Sequence, residues 1–100
     1  MNRRDILDAA LALITGDRDR DYGAARDNFD AIAAAWTLQL GPKLARGLTA
    51  EDVAMCMAQL KLMRLRTTPN HPDSWIDLAG YAALGGEVSE TRLMQQEPKK

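Results

Sequence analysis

The sequence predicts an all-α fold: an antiparallel four-helix bundle followed by a short C-terminal tail or helix. Three observations lead to this fold class. Apolar residues recur at three- and four-residue spacing in four separate segments, which is the period of an amphipathic helix. Glycine or proline residues interrupt the chain between these segments, and no stretch alternates apolar and polar residues as a half-buried strand would. The 100 residues, 46% of them hydrophobic, suffice for one domain with one core.

The first helix is predicted from Arg3 to Ile14. Asn2 precedes it as an N-cap, and Gly16 follows it as a stop. The segment from Gly16 to Gly23 alternates charges and has a glycine at each end. Because such a segment offers no apolar face to bury, it is predicted to form a loop.

The second helix is predicted from Ala24 to Leu40. This segment is rich in alanine, which favours a helix, and Trp36 lies on its apolar stripe. Gly41-Pro42 follows, and the proline ring sterically halts a helix. The second helix is therefore expected to end at Leu40 and to bury Trp36.

The third helix begins after Thr49, which forms the start of a capping box with Asp52 in place of the usual Glu or Gln. The apolar pattern then continues to about Arg66. Within it Cys56 lies between two methionines, which predicts a buried thiol. A single cysteine cannot form an internal disulfide, so a reducing compartment is expected.

The fourth helix is predicted from Asp73 to Leu84, with Trp75 on its apolar stripe. Gly85-Gly86 is expected to terminate it. The chain then divides into a helical bundle domain, residues 1–86, and a C-terminal tail, residues 87–100.

The charge balance limits the class of partner. Lys and Arg number 13 and Asp and Glu 14, which gives a formal charge of −1. A uniformly cationic surface for nucleic acid is therefore not expected. No window approaches the roughly 20 apolar residues that cross a bilayer, and the start of the chain lacks a signal-peptide pattern. A soluble, cytoplasmic protein is expected.

Two carboxylates on the fourth helix form a candidate metal site. Asp73 and Asp77 are one turn apart, so they project from the same face, and hard oxygen ligands of this kind suit Mg²⁺ as a cofactor. The helix macrodipole alone also explains an acid in the first turn, such as Asp73. Asp77 interrupts a segment suited to burial, and a buried carboxylate needs a partner.

The third helix offers two cations for that partnership. Lys61 and Arg64 are three residues apart and therefore adjacent on the helix surface. They could clamp phosphates, with Arg64 as a bidentate fork and Lys61 as a point charge. Alternatively, one of them pairs with Asp77 or Asp73 and locks the third helix against the fourth.

The aromatic and nucleophilic residues are less specific. Tyr22, in the loop before the second helix, could stack on a nucleobase or simply pack in a turn. His71 has no second metal ligand at a suitable spacing, and Ser74 has no positioned base in the sequence.

A series of short motifs extends from Arg3 to about Leu84. Its members are Asp21-Tyr22-Gly23, Asn28-Phe29, Ile32-Ala33, Trp36, Leu48-Thr49, Asp52-Val53-Ala54, Lys61, Arg64, Asp73-Ser74 and Asp77 to Ala83. In this order they resemble a small family of helical proteins found largely in bacteriophages and prophages. The resemblance implies a protein of the bacterial host cytoplasm.

The layout is more distantly similar to the MazG-type all-α nucleoside triphosphate pyrophosphohydrolases. In those enzymes a bundle carries acidic clusters that bind Mg²⁺ around the phosphates of a nucleotide, commonly in dimers or tetramers. The resemblance implies a MazG-like bundle and a MazG-like reaction. This chain departs from the family because it offers only Asp73 and Asp77 and lacks the Glu-Glu-x-x-Glu and Glu-x-x-Asp clusters.

Three functions follow from these features. The first is capture of a phosphorylated nucleotide or nucleotide-derived signal, such as a host defence signal. In that function Lys61 and Arg64 hold phosphate, and Tyr22 stacks on the base. Asp73 or Asp77 then orients the cations or accepts from the ribose.

The second function is Mg²⁺-dependent hydrolysis of nucleoside triphosphates, with Asp73 and Asp77 as metal ligands. The third is a structural or protein-interaction module in which the ion pairs serve only the fold. In each case a homo-oligomer is expected, because four short helices rich in Met and Leu leave an apolar face exposed in a monomer.

Overall fold

The computed structural model describes residues 1–16 and 25–96. They form four α-helices, α1 (Arg3–Thr15), α2 (Ala25–Leu40), α3 (Ala50–Thr67) and α4 (Pro72–Gln96), with a 3₁₀ turn at Gly41–Lys43. The described ranges contain no strand. The predicted all-α class is therefore confirmed.

The predicted caps are formed by side chains at the starts of α1 and α3. The Asp5 backbone N–H donates to Asn2 Oδ1 at 2.9 Å, and the Asn2 N–H donates to the Asp5 carboxylate at 2.9 Å. At α3 the Asp52 N–H donates to Thr49 Oγ1 at 3.2 Å, and the Thr49 N–H donates to Asp52 Oδ2 at 2.9 Å. Each pair satisfies two backbone donors that a helix start otherwise leaves free.

The end of α2 is also confirmed, since Leu40 is its last residue and Gly41-Pro42 opens the 3₁₀ turn. The connection to α3 is held by Thr37, whose hydroxyl donates to the Ala33 carbonyl at 2.7 Å and accepts the Leu48 N–H at 2.9 Å. Two short polar contacts thus set where α3 begins relative to α2.

The predicted end of the fourth helix at Gly85-Gly86 is wrong, because α4 continues to Gln96. Leu84 and Val88 are one turn apart and both buried, so the apolar stripe that drives helix formation runs past the two glycines. The predicted boundary at residue 86 therefore falls inside a helix. Residues 97–100 lie outside the described part of the chain.

The helices pack in the order α1, α4, α3, α2. Helices α3 and α4 form an antiparallel hairpin with the largest contact, α2 lies mainly on α3, and α1 contacts α4 but neither α2 nor α3 within the described residues. The core between α2, α3 and α4 is built mostly of small side chains, and its buried members are Phe29, Ala33, Ala50, Val53, Ala54, Leu84 and Val88.

Of the two tryptophans predicted to lie in the core, one is confirmed and the other lies on the surface. Trp36 is partly buried against the core. Trp75 is 43% exposed, because it lies nine residues, or two and a half turns, before the buried Leu84 and so points to the opposite side of α4. Its indole N–H donates to the Pro69 carbonyl at 2.8 Å and so ties the α3–α4 turn to α4.

The prediction of a buried thiol is also wrong, since Cys56 is exposed. The core face of α3 is set by Val53 and Ala54, with the partly buried Met57 one turn further. Cys56 is one residue from Met57 and is therefore rotated by about 100° away from that face. No helix among the described residues is long and apolar enough to cross a membrane.

Candidate functional site

Lys61 and Asp77 meet across the contact between α3 and α4. Lys61 Nζ lies 3.0 Å from Asp77 Oδ2, and the two side chains are 15% and 29% exposed. The predicted pairing of a cation on the third helix with an acid on the fourth is therefore confirmed for these two residues. The pair explains how Asp77 is accommodated in an otherwise apolar segment, since even a partly buried carboxylate is stabilised by a counter-charge.

A small cavity adjoins this pair between α1 and α4. It has a volume of about 190 Å³ and is lined by Asp77, Tyr81 and Gly80 of α4 together with Leu13 and Ile14 of α1. Gly80 permits the close approach of α1, because a Cβ there would lie 3.2 Å from Ile14 Cγ2. The cavity is smaller than the 300–1,000 Å³ typical of ligand pockets, so it suits one small group of a ligand. Of the ion pair, Asp77 is among its lining residues and Lys61 is not.

Arg64 does not share this cavity. It is exposed and lines a separate cavity of about 350 Å³ at the α3–α4 turn, together with Leu60, Met63, Thr67, Thr68 and His71. Residues three apart on a helix differ by 60° around its axis. Lys61 therefore faces α4, whereas Arg64 faces the turn.

Asp73 stands apart from both cavities. It is exposed in the first turn of α4, and within the described residues it makes no ion pair. Of the four charged residues predicted to meet, Lys61 and Asp77 form an ion pair, whereas Arg64 and Asp73 form none among the described residues. Tyr22 lies outside the described residues.

His71 and Ser74 form a contact that the sequence reasoning missed. His71 Nδ1 accepts the backbone N–H of Ser74 at 3.3 Å and lies 2.9 Å from Ser74 Oγ. Ser74 therefore has a neighbouring base, contrary to the prediction. Since Ser74 is only 1% exposed, the contact serves as an N-cap of α4, with the imidazole in the role usually taken by Ser, Asp or Asn. The sequence did contain an indication of this cap, because His71 lies three residues before Ser74, at the start of an apolar run.

Replacing His71 by alanine should lower the free energy of unfolding by about 1 kcal/mol, because it leaves a helix-start N–H without its acceptor. For a domain of this size the melting temperature should fall by about 4–8 °C. His71→Asn keeps a capping acceptor and is the matched control, for which a melt close to wild type is expected. Equal melting temperatures for all three proteins by circular dichroism would contradict the capping role.

A third cavity lies along the α3–α4 contact. It has a volume of about 460 Å³, and small residues predominate in its lining: Glu51, Ala54, Met55, Ala58, Tyr81, Ala82, Gly85, Gly86 and Ser89. At one end Glu51 Oε2 lies 2.9 Å from Arg92 Nη2, while its other oxygen, Oε1, is buried and has no donor among residues 1–16 and 25–96. The sequence did not point to Glu51, because an acid in the first turn of a helix is common.

The two carboxylates predicted to bind Mg²⁺ lie in different surroundings. No group of three or more His, Cys, Asp or Glu side chains among them is placed to hold a metal ion. The carboxylate of Asp77 is occupied by Lys61 at 3.0 Å, and Asp73 lies exposed at the helix start. The acidic residues 17, 19 and 21 of the predicted loop lie outside the described ranges.

Comparisons with known proteins place the chain among phage proteins. A family model described as Domain of unknown function (DUF6378) matches residues 5–89. The Gene 55 protein of Mycobacterium phage L5 is 39% identical over 92 residues, which cover 92% of this chain and 55% of that protein. The Gene 55 protein of Mycobacterium phage D29 is 36% identical over 95 residues, which cover 95% of this chain and 60% of that protein. No solved structure matches.

These relatives confirm the predicted resemblance to a phage protein family. The chain spans little more than half the length of the two relatives.

Proposed function

We propose that this chain, which belongs to the DUF6378 family, captures a phosphorylated nucleotide or a nucleotide-derived signal at the contact between α3 and α4. The observation that carries the proposal is the Lys61–Asp77 pair, 3.0 Å apart and beside a cavity of about 190 Å³. Lys61 is largely buried, and a cation in such a place attracts an anion more strongly than an exposed one does, because the effective dielectric constant is lower there.

Asp77 holds Lys61 in position until a phosphate arrives. The lysine ammonium has three donors and one carboxylate oxygen close to it, so donors remain for a ligand. A phosphate group carries more negative charge than a carboxylate and accepts several hydrogen bonds, so it competes well for Lys61. Tyr81 lines the same cavity and offers an aromatic edge to the sugar or base.

Arg64 supplies a second cation one turn along α3, about 5–6 Å from Lys61 between Cβ atoms. Its cavity also contains His71, whose Nδ1 accepts from Ser74. In the neutral ring this hydrogen bond assigns the proton to Nε2, which leaves a donor for an anion. A ligand with two or more phosphates could therefore contact both cations, while Tyr22 is proposed to stack on its base.

Capture without turnover suits a phage protein that removes a signal from its host. The described residues provide cations for phosphate but no set of metal ligands for hydrolysis. A MazG-like, Mg²⁺-dependent reaction and a purely structural ion pair remain the competing functions. Hydrolysis and a structural ion pair each predict a result in the experiment below that differs from the result expected for capture.

The test is isothermal calorimetry with mononucleotides and cyclic dinucleotides. Lys61→Ala and Arg64→Ala should each weaken binding about 10- to 100-fold, because each removes a charge-assisted hydrogen bond worth about 1.5–3 kcal/mol. Lys43→Ala and Arg46→Ala are matched controls, since both remove an exposed cation on the α2–α3 connection. The controls should bind as wild type does.

Three outcomes would count against capture. Absence of heat with every nucleotide in the panel would overturn the proposal. A lower melting temperature for Lys61→Ala together with no ligand response would assign the pair to the fold alone. Release of pyrophosphate from a triphosphate with Mg²⁺, lost in Asp77→Asn, would assign the site to hydrolysis.

A further inference from the structure

One face of α3 is apolar in the middle and oppositely charged at its two ends. Glu51, Met55, Ala58, Leu62 and Arg66 follow one another at spacings of four, three, four and four residues, so they lie on one side of the helix. Met55 is 59% exposed and Leu62 40% exposed. We call these five residues the α3 stripe.

A groove runs beside the α3 stripe. Ala82, Gly86 and Ser89 of α4 line it opposite Met55 and Ala58, and a Cβ added at Gly86 would meet no atom within 4 Å. With a volume of about 460 Å³, the groove has room for large side chains from another molecule. Small residues of this kind let two helices approach closely.

The sizes of the buried and exposed side chains also indicate an apolar surface that a partner could cover. The buried hydrophobic residues include four alanines, whereas twelve leucines and methionines of the described residues are exposed. A stable monomer of this length normally buries its large apolar side chains first. The α3 stripe and its groove form the part of this apolar surface that has charged groups at both ends.

We propose that two copies of this chain associate through the α3 stripe, with their α3 helices antiparallel and the two-fold axis between Ala58 and Gln59. The stripe is complementary to itself in this arrangement. Met55 lies opposite Leu62 of the partner subunit, and Glu51 lies opposite Arg66 of the partner subunit. Both contacts occur twice, as the symmetry of a two-fold interface requires.

The charges select this orientation and this partner. A parallel arrangement would place Arg66 beside its own copy and Glu51 beside its own copy, and like charges in contact are unfavourable. Glu51 lines the groove, and its negative charge attracts Arg66 of the partner subunit to that end, although Arg92 already lies 2.9 Å from one carboxylate oxygen. Leu62 of the partner subunit then enters the groove next to Gly86.

The mass in solution tests the proposal. Wild type should have twice the 11.0 kDa of the single chain by sedimentation equilibrium. Met55→Glu places a charge in the apolar centre of the contact and should raise the dimer Kd at least about 30-fold. Met63→Glu is the matched control, because Met63 is 54% exposed on the same helix but lies outside the stripe. This variant should remain a dimer.

A cross-link gives a second measurement that does not depend on destabilising the contact. In a Cys56→Ser background, Ala58→Cys should form a disulfide between copies under mild oxidation, because position 58 lies beside the two-fold axis. Leu38→Cys in the same background is the control and should remain reduced. A monomeric wild type, dissociation by Met63→Glu but not by Met55→Glu, or equal cross-linking at positions 38 and 58 would each overturn the proposal.

Discussion

Replacing Phe29 by alanine should lower the free energy of unfolding by about 3–5 kcal/mol and the melting temperature by about 15–30 °C. Phe29 is 2% exposed and is the largest of the fully buried side chains. Its neighbours in the core are mainly alanine and valine, which are too short to fill the space of a missing ring. The resulting cavity therefore stays open, and the full cavity term applies.

Leu38→Ala is the matched control for this prediction, because Leu38 lies on the same helix and is 86% exposed. Its effect should stay within about 0.5 kcal/mol. Chemical denaturation monitored by circular dichroism measures both variants. If Phe29→Ala unfolds no more readily than Leu38→Ala, then α2 does not form the core with α3 and α4, and the packing order described above is incorrect.

Helix starts could be predicted from the sequence because capping is a local effect. The side chains of Asn2 and Thr49 bond to backbone groups three residues away, so a short window contains all the atoms involved. The cap of α4 is also local, but it was missed because the capping side chain there is a histidine, His71. Sequence preferences at the N-cap favour Ser, Thr, Asp and Asn over histidine.

The Lys61–Asp77 contact was predictable because each residue interrupts an apolar run. A charge inside such a run must find a partner on a neighbouring helix, and the short α3–α4 turn makes those two helices neighbours. The position of Arg64 was not predictable in this way. The spacing along α3 gives the direction of the Arg64 side chain relative to that of Lys61. Which of these two cations α4 covers depends on where α4 packs, and the spacing does not give that position.

This separation changes what the candidate site can do. One cation is held by a carboxylate beside the cavity between α1 and α4, and the other is exposed at the α3–α4 turn. A single phosphate can use one of them, whereas a ligand with two phosphates or a cyclic phosphodiester can use both. The nucleotide panel should therefore show stronger binding for ligands that carry at least two phosphates, with Arg64→Ala reducing that preference.

Replacing Gly85 by leucine should lower the free energy of unfolding by about 2–3 kcal/mol, although leucine is the better helix former. A Cβ at Gly85 would already lie 3.0 Å from the Cβ of Ala54, and Ala54 is 4% exposed in the core. The larger side chain must push α4 away from α3, and that separation also opens the core around Val88. The glycine is thus required by the approach of two helices, which explains why it does not end α4.

The neighbouring glycine provides the control. Gly86→Leu adds the same side chain one position along, where a Cβ meets nothing within 4 Å, so its higher helix propensity should raise the free energy of unfolding by roughly 0.5–1 kcal/mol. Both substitutions are best measured in a Met55→Glu background, since residue 86 lines the groove proposed to bind a second copy. Opposite signs for two identical substitutions at adjacent positions are expected only if α4 is continuous here and its Gly85 side faces α3. Equal effects of the two variants would mean that α4 ends or frays at this pair of glycines.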